Sequence, residues 1–309
     1  MKNRPSLAHL SALFGDRIEY NLPIAKNTSA RIGGSADAVL TIHSAAELAD
    51  AARLCWAQDV PFKVIGAGSN ILISDHGIRE LIILNKAKRV EMPAGNNLFV
   101  YAESGVSYSR LANQVSSAGY DGLVWAATIP GTVGGAIYGN AGAFGGDTAT
   151  SILDVDLATP EGESSLTAEK LGYGYRTSSL KRGELRAVIL GARFALKFAD
   201  SDLLKVKIEE LTARRKNTQP PGASMGSMFK NPPNQFAGKL IEDCGLKGYR
   251  VGNASISPVH ANFFVNDGDT TARDVMQLIQ LAKNAVAEKF NINLQLEIEL
   301  LGDWSEHVG

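Results

Sequence analysis

Eight glycines between Gly122 and Gly146 constrain this chain more than any other feature. The run Ala127-Thr-Ile-Pro130-Gly131-Thr-Val-Gly134-Gly135-Ala-Ile-Tyr-Gly139-Asn140-Ala-Gly142-Ala-Phe144-Gly145-Gly146 is too rich in Gly for a helix core. Each Gly in a helix interior costs about 0.5–1 kcal/mol relative to Ala, because more backbone freedom is lost on folding. The run is also too poor in Ser and charge for a flexible linker. No Gly-Lys-Ser/Thr follows, so it is not a phosphate-binding P-loop. The pattern predicts a packed loop whose backbone turns sharply or lies against a large planar or phosphorylated ligand.

Composition narrows the function classes. The hydrophobic fraction of 45% and charged fraction of 20% allow a substantial core and exclude global disorder. A net charge of -1 leaves no basic footprint for duplex nucleic acid, so no nucleic-acid partner is expected. No apolar run approaches a membrane span, so no membrane insertion is expected. Pro5, His9 and Ser11 interrupt the N-terminal apolar residues, which therefore lack the core of a signal peptide. A cytoplasmic address follows. Cys55 and Cys244 cannot make a disulfide framework, and the five His show no ligand spacing, so no metal is expected.

Local patterns mix helices and strands. Ser44-Ala-Ala-Glu47 is a capping box ahead of Leu48, Ala51, Ala52 and Cys55 at helical spacing. Val106 to Ala118 reads as a second helix, stopped by Gly119. Strand-type runs occur at 38–40, 63–65, 81–84, 98–101, 152–157 and 187–196. After Lys197 the texture changes. Ser201 to Arg215 is charged and helical, with Leu204, Ile208 and Leu211 on one face. A loop at 220–233 and a short helix from Phe236 to Cys244 follow. A long helix then starts at Thr271, with Val275, Leu278, Ile279, Ala282 and Val286 in one stripe. A domain boundary is placed near residue 200.

Four further features bear on chemistry. Gly66-Ala-Gly68-Ser69-Asn70 follows the strand run at 63–65, which suggests main-chain N–H groups aimed at phosphate. Ile71 stands where the dinucleotide fingerprint needs its third Gly, and a strand rather than a helix follows. Gly222-Ala-Ser224-Met-Gly226 has the hydrolase nucleophile spacing, but it lies among prolines without the strand–helix context. His260 sits among apolar residues, which ordinarily means a satisfied, partly buried His. Lastly, Ile292, Leu294, Leu296, Ile298 and Leu300 alternate with Asn293, Gln295, Glu297 and Glu299 as in a strand with one polar face. That face is either solvated or lines a cleft.

Taken in order, the motifs resemble the UDP-N-acetylenolpyruvoylglucosamine reductase family. They are Asn27-Thr-Ser-Ala-Arg31-Ile-Gly33-Gly34 with Ala36-Asp37, Gly66 to Asn70, Ile129-Pro-Gly-Thr-Val-Gly-Gly135, Asn140-Ala-Gly142 and Tyr175-Arg176-Thr-Ser178. They continue with Gly226-Ser227-Met-Phe-Lys-Asn-Pro232, Leu240-Ile241, Gly245-Leu-Lys247-Gly248, His260-Ala-Asn262-Phe and the strand carrying Glu297. The resemblance implies an α+β protein: a two-part FAD-binding domain of the vanillyl-alcohol-oxidase type plus a C-terminal α+β substrate-binding domain. The implied boundaries are an N-terminal extension over 1–20, the FAD-binding domain over 21–200 in halves 21–85 and 86–200, and the substrate domain over 201–309. The short chain after Arg176 resembles the shorter subclass, which lacks a substrate-covering insertion. Thr177 stands where the family often carries Asp, and Phe144 where it often carries Tyr.

The resemblance further implies the activity. NADPH reduces non-covalently bound FAD, a hydride passes from flavin N5 to C3 of the enolpyruvyl group of UDP-N-acetylglucosamine enolpyruvate, and Ser227 protonates C2. The product is UDP-N-acetylmuramate for peptidoglycan. The catalytic residues are then Arg176 for the carboxylate and developing enolate, Ser227 as acid, and Glu297, with Lys230 or Arg215 as a cation assisting Ser227. Arg31, Ile65, Gly66, Ala67, Gly68, Ser69, Asn70, Ile71, Ile129, Pro130, Gly131, Gly134, Gly135, Asn140 and Gly142 are expected at the cofactor. Phe144, Tyr175, Lys230, Asn231, Lys247 and His260 are expected at the UDP-sugar, with Lys247 on the pyrophosphate. A monomer is expected. An alcohol oxidase of the same fold would keep the glycine loops but lack the 226–232 and Glu297 segments. A non-catalytic nucleotide-sugar binder would not need Arg176, Ser227 and Glu297 together.

Overall fold

Residues 7–95 and 97–305 are described by the computed structural model. The first six residues of the expected N-terminal extension, and His307, lie outside the described residues. The chain divides into two compact units. One contains the residues up to Glu19, Val39–Ala67 and Leu81–Arg214; the other contains Tyr20–Ala38, Gly68–Glu80 and the residues from Arg215 onward. The architecture is mixed α+β, as expected.

In the first unit a five-stranded sheet has the order Gly162–Thr167, Ile152–Thr159, Val188–Ala195, Phe99–Glu103, Val90–Glu91. Every neighbouring pair in it is antiparallel. Tyr108, Leu111 and Val115 of the helix Tyr108–Ser117 share one buried cluster with Val100, Ala102, Val155, Leu157 and Phe194 of the sheet. Ser107 starts this helix by accepting the Arg110 N–H. The helix Ala45–Ala57 starts at Ser44, whose hydroxyl accepts the Glu47 N–H, and buries Leu48, Ala49, Ala51, Ala52 and Cys55. Full burial of a Leu such as Leu48 contributes about 1.5–3 kcal/mol. The expected extension is packed into this unit. The helix Ala8–Phe14 buries Leu10 and Phe14, and Arg17 pairs with Glu47 at 2.9 Å.

One expectation is corrected here. The glycine-rich stretch is not loop throughout, since Val133–Gly139 is a short helix. Thr132 caps it by accepting the Gly135 N–H, and Asn140 ends it in the left-handed conformation at φ 46°. With Val133, Ala136 and Ile137 buried, tertiary packing offsets the low helix propensity of its glycines.

In the second unit the sheet order is Ala223–Ser227, Phe263–Asn266, Ala254–Ile256, Arg250–Val251, all antiparallel. The helix Ala272–Phe290 has the expected buried stripe of Val275, Leu278, Ile279, Ala282 and Val286, and a capping box joins Thr271 to Asp274. Asp75 adds a second cap by accepting the N–H groups of Ala272 and Arg273. The unit is not a continuous stretch of chain. Residues 68–80, expected in the FAD-binding part, bond to the C-terminal segment because Ile71–Ile73 pairs in parallel with Glu299–Leu301. The helix Ser201–Thr218, expected to open the substrate domain, is shared between the units at Arg214 and Arg215. Only Leu204 of its expected apolar face is buried.

The alternating C-terminal pattern is also only partly a strand. Leu294 and Ile298 are buried while Asn293 and Gln295 are exposed, as the alternation implies. Ladder pairing is confined to Glu299–Leu301 and a bridge between Leu296 and Phe229. Neighbouring side chains and isolated backbone bonds, rather than a continuous partner strand, hold the rest.

Candidate functional site

In the first unit the strand Phe62–Ile65 ends directly in Gly66. A Cβ at Gly66 would collide with the Thr132 side chain, the cap of the helix Val133–Gly139. Gly66 therefore lets the two glycine-containing segments meet. Gly134 approaches the main chain of Ser104, where an added Cβ would stand 3.1 Å from its carbonyl oxygen. Gly131, at φ 110°, turns the chain into the capping Thr132. The Thr128 hydroxyl, next to Ile129, Pro130 and Gly131, is buried with no hydrogen-bond partner. Such a group costs free energy unless a bound molecule or water satisfies it. Sequence reasoning missed Thr128, because only its tertiary burial distinguishes it from any loop Thr.

The same unit brings Asn140, Gly142, Phe144, Tyr175 and Arg176, all expected functional residues, onto one cavity of about 610 Å³. Phe144 and Gly145 form the tip of a two-residue hairpin between Gly142–Ala143 and Gly146–Asp147. Both have positive φ, 53° and 87°, the conformation of a type I′ turn. Phe is unusual at such a position, and strain of this kind concentrates at functional sites. Arg214 stands 5.6 Å from the centre of the Phe144 ring, a contact the sequence did not signal. Arg176 is also left-handed, at φ 56°. Its guanidinium donates to the Gly142 carbonyl at 2.8 Å and the Asn140 carbonyl at 3.4 Å, and lies 5.3 Å from the Tyr175 ring centre. The planar fork thus ties the Tyr175–Arg176 segment to the hairpin. Tyr175 is largely exposed and Arg176 half-buried.

In the second unit Gly68 lies against the main chain of Asn27 and Thr28, and Ser29 N–H donates to its carbonyl. Arg31 is exposed and left-handed at φ 58°. Asn70 bonds to the main chain of Glu297 and Glu299. Ser227 ends the strand Ala223–Ser227 opposite Phe263, after an irregularity that includes Gly226 at φ 75°. Nothing lies within 4 Å of where a Gly226 Cβ would stand, so the approach beside Ser227 is open. Glu297 N–H donates to the Met228 carbonyl at 2.9 Å, which joins the residue after Ser227 to Glu297. Ser227 and Glu297 are both half-buried. Glu297 is thus less exposed than Asn293 and Gln295 of the same alternating stretch.

Lys230 N–H donates to Gln295, and Asn231 accepts the Ala237 N–H through Oδ1. Lys247 is ion-paired with Glu242 at 3.0 Å. His260 is half-buried, and its Nδ1 accepts the Asn262 N–H at 3.2 Å, which leaves the proton of the neutral ring on Nε2. Burial first, and the Lys247 cation second, push the His260 pKa down, so the neutral form is favoured. The imidazole is thus a donor rather than a cation. Arg215 lies half-buried in the last turn of its helix, where burial lowers its pKa. Among the described residues no group of three or more His, Cys, Asp or Glu could hold a metal ion, and no helix is long and apolar enough to cross a membrane.

Comparison with known proteins gives these residues a context. Residues 36–165 match the FAD binding domain family, and residues 217–301 match the UDP-N-acetylenolpyruvoylglucosamine reductase C-terminal domain family. The chain is 40% identical over 286 residues to UDP-N-acetylenolpyruvoylglucosamine reductase of Chloroflexus aggregans, covering 91% of this chain and 96% of that one. It is 41% identical to the Rubrobacter xylanophilus reductase, covering 92% and 95%. The crystal structure of the Thermus caldophilus reductase superposes with a TM-score of 0.80 at 33% identity, covering 92% of this chain and 99% of that one. The residues present suit FAD. Thr128 offers an unpaired buried hydroxyl, and the glycine-lined main chain beside it lacks the side chains that would hold a large ligand away. With both domain families matched in order and the relatives aligned over nearly their whole length, the chain belongs to the UDP-N-acetylenolpyruvoylglucosamine reductase family.

Proposed function

We propose that the protein reduces UDP-N-acetylglucosamine enolpyruvate to UDP-N-acetylmuramate with NADPH as hydride donor, a step of peptidoglycan biosynthesis. The observation that carries the reading is the 2.9 Å bond from Glu297 N–H to the Met228 carbonyl. It sets a hydroxyl and a carboxyl on adjacent, paired stretches of main chain, the arrangement a proton delivery needs.

FAD, when bound, supplies the carrier that takes the hydride from NADPH and passes it to substrate carbon. The residues assigned to hold it are Ile65 to Ala67, Thr128 to Gly131, Gly134, Gly135, Asn140 and Gly142 in the first unit, and Arg31 and Gly68 to Ile71 in the second. The chain's other residues manage charge and protons. Arg176 faces the substrate carboxylate, where negative charge grows as C3 is reduced and C2 becomes enolate-like. Ser227 delivers the proton to C2 from beside the open Gly226. A serine hydroxyl is a weak acid, so it depends on its neighbours, with Glu297 on the segment bonded to Met228 and Lys230 three residues on. Phe144 and Tyr175 contact the sugar nucleotide. Lys247, Asn231 and the Nε2–H of His260 bind its pyrophosphate, for which Lys247 exchanges its ion pair with Glu242.

The test is anaerobic mixing of the flavin-loaded protein with NADPH and then with the enolpyruvyl nucleotide. NADPH should bleach the flavin band, the nucleotide should restore it, and the product should be heavier than the substrate by two hydrogens. Failure of the nucleotide to restore the band, with NADPH bleaching intact, would overturn the reading.

A further inference from the structure

Ser227 and Glu297 do not hold themselves in place. The stretch from Ser227 to Lys230 leaves its sheet after Ser227 pairs with Phe263, and from there its main chain is gripped from two sides. On one side Glu297 N–H donates to the Met228 carbonyl and Lys230 N–H donates to the Gln295 carbonyl, each at 2.9 Å, around the Phe229–Leu296 bridge. On the other side the partner is a single residue, Asn262. Its carbonyl accepts the Met228 N–H at 2.7 Å. Its side-chain Oδ1 accepts the Phe229 N–H at 2.9 Å, and its Nδ2 donates to the Phe229 carbonyl at 2.8 Å.

Asn262 is only 3% exposed, and its amide completes the Phe229 peptide as a neighbouring strand would. Its own N–H donates to Nδ1 of His260. One buried residue therefore links His260, through its main-chain N–H, to the Met228–Phe229 main chain, through its carbonyl and its side-chain amide. A side chain without both a donor and an acceptor cannot replace it.

We propose that Asn262 is a positioning residue for proton delivery at C2: its amide sets the spacing between the Ser227 hydroxyl and the Glu297 carboxyl. The proposal rests on the roles given above to those two residues. It distinguishes the two halves of the reaction. Flavin reduction by NADPH requires no proton at C2, so it is insensitive to this spacing. Flavin reoxidation by the enolpyruvyl nucleotide is sensitive, because a misplacement of about 1 Å at a reacting group slows a step by about 10²-fold.

The experiment compares Asn262→Asp, which keeps the volume and the acceptor but removes the donor to Phe229, with Asn262→Ser, which shortens the reach. Ser227→Ala is the control, and all are measured as flavin-loaded protein at equal flavin content by stopped-flow absorbance. We expect both Asn262 variants to reduce normally with NADPH and to reoxidise about 10²-fold more slowly. In steady state kcat should fall while KM for the nucleotide is unchanged, a split that general loosening of the fold does not produce. Reoxidation at the wild-type rate in either variant, or equal slowing of both halves, overturns the proposal. A Ser227→Ala protein that reoxidises normally removes the role of Ser227 itself, and the proposal with it.

Discussion

The side-chain amide of Asn70 donates to the carbonyl of Glu297 at 3.1 Å, and the Asn70 carbonyl accepts the Glu299 N–H at 3.0 Å. These bonds lock the end of the Gly66–Asn70 loop to the segment carrying the proposed reactive carboxylate. They involve only the main chain of Glu297, so the side chain can be altered without disturbing them. Glu297→Gln should therefore keep its fold and flavin content, and turnover should fall about 10²–10⁴-fold, the range for a lost acid–base group. Steady-state NADPH oxidation at equal flavin concentration measures this. Wild-type turnover would assign Glu297 a purely structural place.

Ser227→Ala removes one half-buried hydroxyl beside the open Gly226. Flavin content and reduction by NADPH should be unaffected. Reoxidation by the enolpyruvyl nucleotide should slow about 10²–10⁴-fold, corresponding to roughly 3–5 kcal/mol of barrier. Stopped-flow absorbance separates the two halves. Equal slowing of both would mean that Ser227 maintains the cofactor site.

Arg176 uses its fork on the Gly142 and Asn140 carbonyls, and by the proposed reading also faces a carboxylate. Lys keeps the charge but has no planar fork. Arg176→Lys should lower kcat/KM for the nucleotide by about 10²-fold, the equivalent of one or two charge-assisted hydrogen bonds. Flavin content should remain full. A kcat/KM close to wild type would make the arginine fork dispensable.

Gly66→Ala tests the close approach in the first unit. The new methyl group would meet Thr132 Oγ1 and, at 2.8 Å, Cγ2. Thr132 is buried and caps the helix Val133–Gly139, so it cannot give way cheaply. The expected cost is about 1–3 kcal/mol of overpacking, with reduced flavin retention. Thermal unfolding and the ratio of flavin to protein absorbance report both effects. An unchanged Tm with full flavin would show that the contact relaxes freely.

Much of the local structure is legible in the sequence. Ser44 with Glu47, and Thr271 with Asp274, mark helix starts because a cap needs only residues three positions apart. The stripe from Val275 to Val286 emerged as the buried face because apolar side chains at helical spacing share one side. Gly245 follows the helix Ala237–Asp243 at φ 74°, a left-handed position that suits Gly just past a helix end. The helix at Val133–Gly139 and the unpaired stretch before Glu299 were not legible. In both, contacts from distant residues outweighed the local pattern.

The sequence by itself determined the caps at Ser44 and Thr271, the buried stripe of the long helix and the family, because each depends on residue types in a set order along the chain. Tertiary structure alone decided which segments meet. Asn70 and Glu297 are 227 positions apart, and no local pattern in either one encodes that distance. The same holds for Thr132 beneath Gly66, for the hairpin held by Arg176, and for the Asn262 amide on the Phe229 peptide. A buried peptide group must find a partner wherever folding delivers one, and only the folded chain says which residue that is.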